Sequence, residues 1–107
     1  MGINESQIQE MQILEQKLQN SMMQRQSFEM ELAETNSALE EIQKAGDEVF
    51  KIIGQLMIKS EKSKIKEELL NKLKILEIRI KSFEKQEHSL AEQLEKLRDE
   101  VTKSMQE

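Results

Sequence analysis

The sequence predicts a mainly α protein: two long helices forming an antiparallel coiled-coil hairpin, joined by a central β-hairpin. Three observations predict it. Proline is absent, and 35% of the 107 residues are charged against 36% apolar, with heavy use of Glu, Lys, Gln, Leu and Ile. Apolar residues recur at heptad spacing in both halves of the chain. Between the halves the period changes around a single glycine.

The first helix is predicted over residues 5–45, which hold no Gly or Pro. Met11, Leu18, Arg25, Leu32 and Leu39 take heptad position a. Leu14, Ser21, Phe28, Thr35 and Ile42 take d, three residues further on, and together they form the seam of a supercoiling helix. Gly46-Asp47 ends this helix, with Gly46 suited to a left-handed C-cap.

The central segment, residues 46–59, holds Val49-Phe50-Lys51-Ile52-Ile53-Gly54-Gln55-Leu56-Met57-Ile58-Lys59. β-Branched and aromatic residues on both sides of a glycine predict a β-hairpin. Phe50, Ile52, Leu56 and Ile58 share a parity and are expected on one face, with Lys51 and Lys59 on the other among Val49, Ile53 and Met57. The second helix is predicted over residues 60–105. Ser60 is its expected N-cap, with Ser63 competing. Leu73, Ile80, Glu87, Leu94 and Val101 take a; Leu69, Leu76, Phe83, Leu90 and Leu97 take d.

The two seams test each other. A turn near Gly54-Gln55 sends the second helix back antiparallel, so facing residues have numbers summing to roughly 110. That places Leu39 near Leu73, Leu18 near Leu94 and Met11 near Val101. It also places Arg25 near Glu87, opposite charges at one height, which fix register against slipped pairings. An isolated two-stranded hairpin is marginal in water and leaves its edges open. The middle of the chain is therefore expected to pair with hairpins of other chains.

Composition excludes several functions. Without cysteine there are no disulfides, thiolate zinc sites or cysteine nucleophiles, which suits a reducing compartment; the expected location is the cytoplasm. No apolar run approaches 18 residues, so no membrane partner is expected, and Glu5 and Glu10 stand where a secretory signal would be apolar. Met1-Gly2-Ile3-Asn4-Glu5-Ser6 fits an N-myristoylation pattern, to be weighed against chance. A net charge of −5 argues against nucleic acid. Lys59, Lys62, Lys64 and Lys66 read better as a solvated helix face than as a phosphate patch. His88 has no second His or Cys to complete a metal site, and the three glycines, at 2, 46 and 54, form no phosphate-cradling loop. No enzyme activity, cofactor or metal is expected.

Ala38-Leu39-Glu40-Glu41-Ile42, the hairpin from Val49 to Lys59, Lys62, and Glu68-Leu69 resemble the β-class prefoldin subunit. The Val-Phe-Lys-x-x-Gly-x-Leu-x-x-Lys hairpin and its spacing to the helices carry the match; the helices alone are generic. One hairpin and this length fit the β class rather than the longer, two-hairpin α class, and the composition resembles archaeal members. The resemblance implies a hexamer of two α-class and four β-class subunits. Their hairpins would form an oligomeric β-barrel with coiled-coil arms hanging from it. The arm tips would hold unfolded client proteins without ATP and deliver them to a group II chaperonin.

On this chain the resemblance assigns oligomerisation to Val49, Phe50, Ile52, Ile53, Leu56, Met57 and Ile58. Client binding falls to the distal ends, at Ile8, Met11, Ile13, Leu14, Met22, Met23, Leu97, Val101 and Met105. The residues support this in part. Four of the seven Met lie between positions 11 and 30, and flexible thioethers adapt to many apolar surfaces, although Met is also an ordinary coiled-coil filler. A seam weakened at Ser21 and Arg25 would let the tip splay. The competing function is a structural coiled-coil adaptor that never touches unfolded clients.

Overall fold

The computed structural model describes residues 5–106. Helix α1 spans Glu5–Lys44, strand β1 Val49–Ile53, strand β2 Leu56–Ser60 and helix α2 Lys62–Gln106. The predicted architecture of two long helices around a central antiparallel hairpin is the observed one. The myristoylation pattern at Gly2 lies outside the described residues.

Both helix ends facing the hairpin differ from expectation. Among the described residues only Gly54 has a positive φ, so Gly46 is not a left-handed cap. The Ala45 N–H donates to the Glu41 carbonyl at 3.0 Å, closing the last turn of α1. The Lys62 ammonium then donates to the Ala45 carbonyl at 2.7 Å. A cation from the next helix thus satisfies an orphan acceptor at the negative end of α1, the task a left-handed glycine turn would otherwise perform. At the start of α2, the Ile65 N–H donates to the Glu61 carbonyl at 3.1 Å, which makes Glu61 the N-cap in place of Ser60 or Ser63. Ser60 is held as the last residue of β2, opposite Val49.

The hairpin register pairs Val49 with Ser60, Phe50 with Lys59, Lys51 with Ile58, Ile52 with Met57 and Ile53 with Leu56. Gly54 and Gln55 form a two-residue turn, with Gly54 at φ 60°. Gln55 keeps a negative φ, so the turn is of the II′ kind, with glycine at its first central position. Opposed residues share a face. A two-residue turn opposes odd-numbered residues to even-numbered ones, which corrects the expected faces. Phe50 and Ile52 lie with Met57 and Lys59, whereas Lys51 and Ile53 lie with Leu56 and Ile58.

The chain divides into two compact units. The hairpin unit is Phe28–Arg79 and carries both strands. Its buried residues are Thr35, Leu39, Ile42, Val49 and Leu76. The Thr35 hydroxyl donates to the Glu31 carbonyl at 2.8 Å, so its burial leaves no unmet hydrogen bond. Lys72 pairs with Glu31 at 3.1 Å, and the Arg79 guanidinium sits 5.5 Å from the centre of the Phe28 ring, tying the two helices together within this unit.

The terminal unit joins the chain up to Ser27 with the chain from Ile80 onward. Leu14, Leu90, Leu94 and Leu97 form its core, with Met11 and Leu18 packed against them. Ile80 and Val101 are also buried. Every residue assigned to a or d from the sequence is buried or half-buried in its own unit.

Candidate assembly and client surfaces

In the hairpin unit the strands expose what a globular protein would cover. Ile52, Met57 and Leu56 are 72%, 69% and 65% exposed; Phe50, Ile53 and Ile58 are also exposed. Of the seven residues assigned to oligomerisation, Val49 alone is buried. Its side chain lies in a groove of about 680 Å³ where the hairpin leaves the helices, lined also by Ala38, Ile42, Phe50, Ile65 and Leu69. Lys51 is fixed to α2 by a 2.9 Å contact with Glu68. Apolar residues thus occupy both faces of the hairpin, and a two-stranded sheet has no second layer to bury either.

The backbone is equally incomplete. In the II′ turn the Ile53 and Leu56 pair is hydrogen-bonded, and pairs alternate from there. Lys51 with Ile58 and Val49 with Ser60 are then the bonded pairs. Phe50 and Ile52 on β1, and Met57 and Lys59 on β2, turn their N–H and C=O groups to the outer edges. Both edges are open templates for another strand.

The terminal unit is different. Ile13, Met23 and Met105 are exposed at 55%, 60% and 65%, while Ile8 and Met22 sit at the margin of exposure. Leu14, Leu97 and Val101 are buried in the seam, so these three candidate client residues are inaccessible in the paired state, and Met11 is half-buried. Arg25 and Glu87 meet as the sequence predicts. The Arg25 Nε donates to Glu87 Oε2 at 2.7 Å and to Oε1 at 3.0 Å, and the two side chains are 22% and 13% exposed. Ser21, one turn away, is 3% exposed, and its hydroxyl has no partner.

His88 Nε2 lies 3.0 Å from Glu92 Oε1 on an exposed face. Among the described residues no cluster could hold a metal ion, and no helix is long and apolar enough to cross a membrane. The sequence reading missed the Lys62 cap, whose signal was a lysine in the first turn of a helix that starts beside another helix's end. It also missed Leu70 and Ile75, which are exposed on α2.

Two helices paired in seams and a hairpin with open edges define a class: a coiled-coil protein with a central β-hairpin. A family model described as prefoldin subunit matches residues 5–107. The chain belongs to the prefoldin family, in its β class. It is 39% identical over 89 residues to the prefoldin subunit beta of Thermococcus onnurineus (strain NA1), covering 81% of this chain and 77% of that protein. With the prefoldin subunit beta of Saccharolobus islandicus (strain L.S.2.15 / Lassen #1) it shares 32% identity over 103 residues, 94% of this chain and 82% of the other. The crystal structure of the prefoldin beta subunit from Thermococcus strain KS-1 superposes with a TM-score of 0.85 at 33% identity, covering 92% of this chain and 89% of that one. The prefoldin beta2 subunit of the same strain shares the fold, with a TM-score of 0.72 at 22% identity over 81% of this chain and 95% of that one.

Proposed function

We propose that the chain is a non-catalytic subunit of an ATP-independent holdase of the cytoplasm. Four copies join two α-class prefoldin subunits through a β-barrel of hairpins. The assembly captures unfolded polypeptides at the distal ends of its helices and delivers them to a group II chaperonin. The observation that carries this reading is that each unit, taken by itself, leaves apolar side chains uncovered. Ile52 and Met57 on one face of the hairpin and Leu56 on the other are each exposed by about two thirds or more, so both faces lack a cover. Ile13, Met23 and Met105 supply adaptable apolar contacts in the terminal unit.

Removing the last turns at both ends of the chain tests it by light scattering with a chemically denatured client. The truncated subunit, assembled with an α-class partner, should keep its oligomeric mass and lose suppression of aggregation. Undiminished suppression would contradict client capture at the ends. An adaptor role would show as no suppression by the intact assembly.

A further inference from the structure

We propose that a second copy of this chain packs sideways against the hairpin unit, with α1 of one copy against α2 of the next. This rests on the assembly reading, in which hairpins gather several copies at one level, and it adds a contact between their helices. Two exposed stripes of the unit, both turned away from the seam, carry it.

On α2 the stripe runs through Glu67, Asn71, Lys74, Ile75 and Ile78, at heptad positions b, c and f, and all five are exposed. Ile75 and Ile78, three residues apart, are neighbours on the helix surface and form an apolar patch. On α1 the stripe runs through Met30, Ala33, Glu34, Ser37, Glu41 and Lys44, again exposed and again at b, c and f. Met30 is apolar, and the short Ala33 and Ser37 leave room for side chains of an approaching helix. The side chains of Glu34, Glu41, Lys44, Glu67 and Lys74 form no ion pair among the described residues, whereas Glu31 and Lys72, outside the stripes, pair with each other.

Charge decides which stripe fits which. Within the hairpin unit α1 carries five Glu against one Lys, and α2 carries six Lys or Arg against three Glu. Two α1 faces repel, as do two α2 faces, while unlike faces attract. With their hairpins level, α1 of one copy and α2 of the next run antiparallel, so facing numbers again sum to roughly 110. On that register Ser37 faces Ile75 of the next copy and Ala33 faces its Ile78. Its Lys74 falls between Glu34 and Glu41. Lys44, the one cation of the α1 stripe, faces Glu67, the one anion of the α2 stripe. The exceptions to each helix's charge thus match each other. Such a contact is head-to-tail, so each copy in a row offers α1 to one neighbour and α2 to the other.

The absence of cysteine allows a direct test. A copy with Ser37→Cys and a differently tagged copy with Ile75→Cys are assembled with a cysteine-free α-class partner and oxidised. Disulfide between the two copies should exceed by about tenfold that of Asn36→Cys with Glu77→Cys, exposed at the same height but off both stripes. Lys74→Glu in the copy bearing Ile75→Cys should cut the yield about fivefold, and Glu34→Lys with Glu41→Lys in the other copy should restore it. A yield no higher than the off-stripe pair, or a loss that the reversed charges leave unrestored, overturns the contact. If sedimentation shows the assembly intact while the yield is low, the hairpin assembly survives and the sideways contact alone falls. Failure to assemble with the α-class partner overturns both.

Discussion

The hairpin unit and the terminal unit spend similar residues in opposite ways. In the terminal unit the leucines are inside: Leu90, Leu94 and Leu97 are each below 8% exposed, covered by α1 of the same chain. In the hairpin unit the strands leave Ile52, Leu56 and Met57 at 65–72%. The difference is geometric. A helix has one apolar stripe, and a second helix covers it. A two-stranded sheet has two faces and two edges, and one short hairpin covers none of them. A coiled-coil unit can be complete within one chain, whereas a lone hairpin cannot, and this sequence contains one of each.

The sharpest way to break the contrast is to make the hairpin polar. Ile52→Lys with Met57→Lys should weaken assembly with an α-class partner about a thousandfold while helix content holds, read by sedimentation velocity and circular dichroism. Retained assembly would show that these side chains are not the interface. Next in size is the seam. Leu76→Ala, at the most buried leucine of the chain (3% exposed), should cost about 2–4 kcal/mol in urea unfolding. Arg25→Leu should cost about 2 kcal/mol, because it strands the Glu87 charge in a half-buried site, and Glu87→Leu should also destabilise by removing the 2.7 Å contact with Arg25. The double substitution should return to within about 1 kcal/mol of wild type, and a double loss equal to the sum of the singles would deny the coupling. The smallest effect has the opposite sign. Ser21→Ala should stabilise by about 1 kcal/mol, since it removes a hydroxyl that folding leaves unmet.

Element type and seam were legible because both rest on period. Heptad positions from Met11 to Val101 mark the buried stripe, and the Arg25–Glu87 contact followed from antiparallel numbering alone. The hairpin was legible in place but not in face. Its parity turns on whether the loop holds two residues or three, and Gly54-Gln55 is compatible with either until Ile53 is known to pair with Leu56. The helix caps were misread for a related reason: Gly46 and Ser60 have suitable side chains, but Lys62 reaches the end of α1 and strand pairing holds Ser60 in β2. For the candidate client residues, period separated seam from surface: Leu14, Leu97 and Val101 stand at a or d and are buried, whereas Ile13 and Met23 stand off the seam and are exposed.

Hydrogen exchange at the hairpin edges tests the central claim most directly. On assembly with an α-class partner, the amides of Phe50, Ile52, Met57 and Lys59 should slow by at least about a hundredfold, as strands from neighbouring chains take up their outward N–H groups. Equal exchange at these four amides in the isolated chain and in the complex would contradict it.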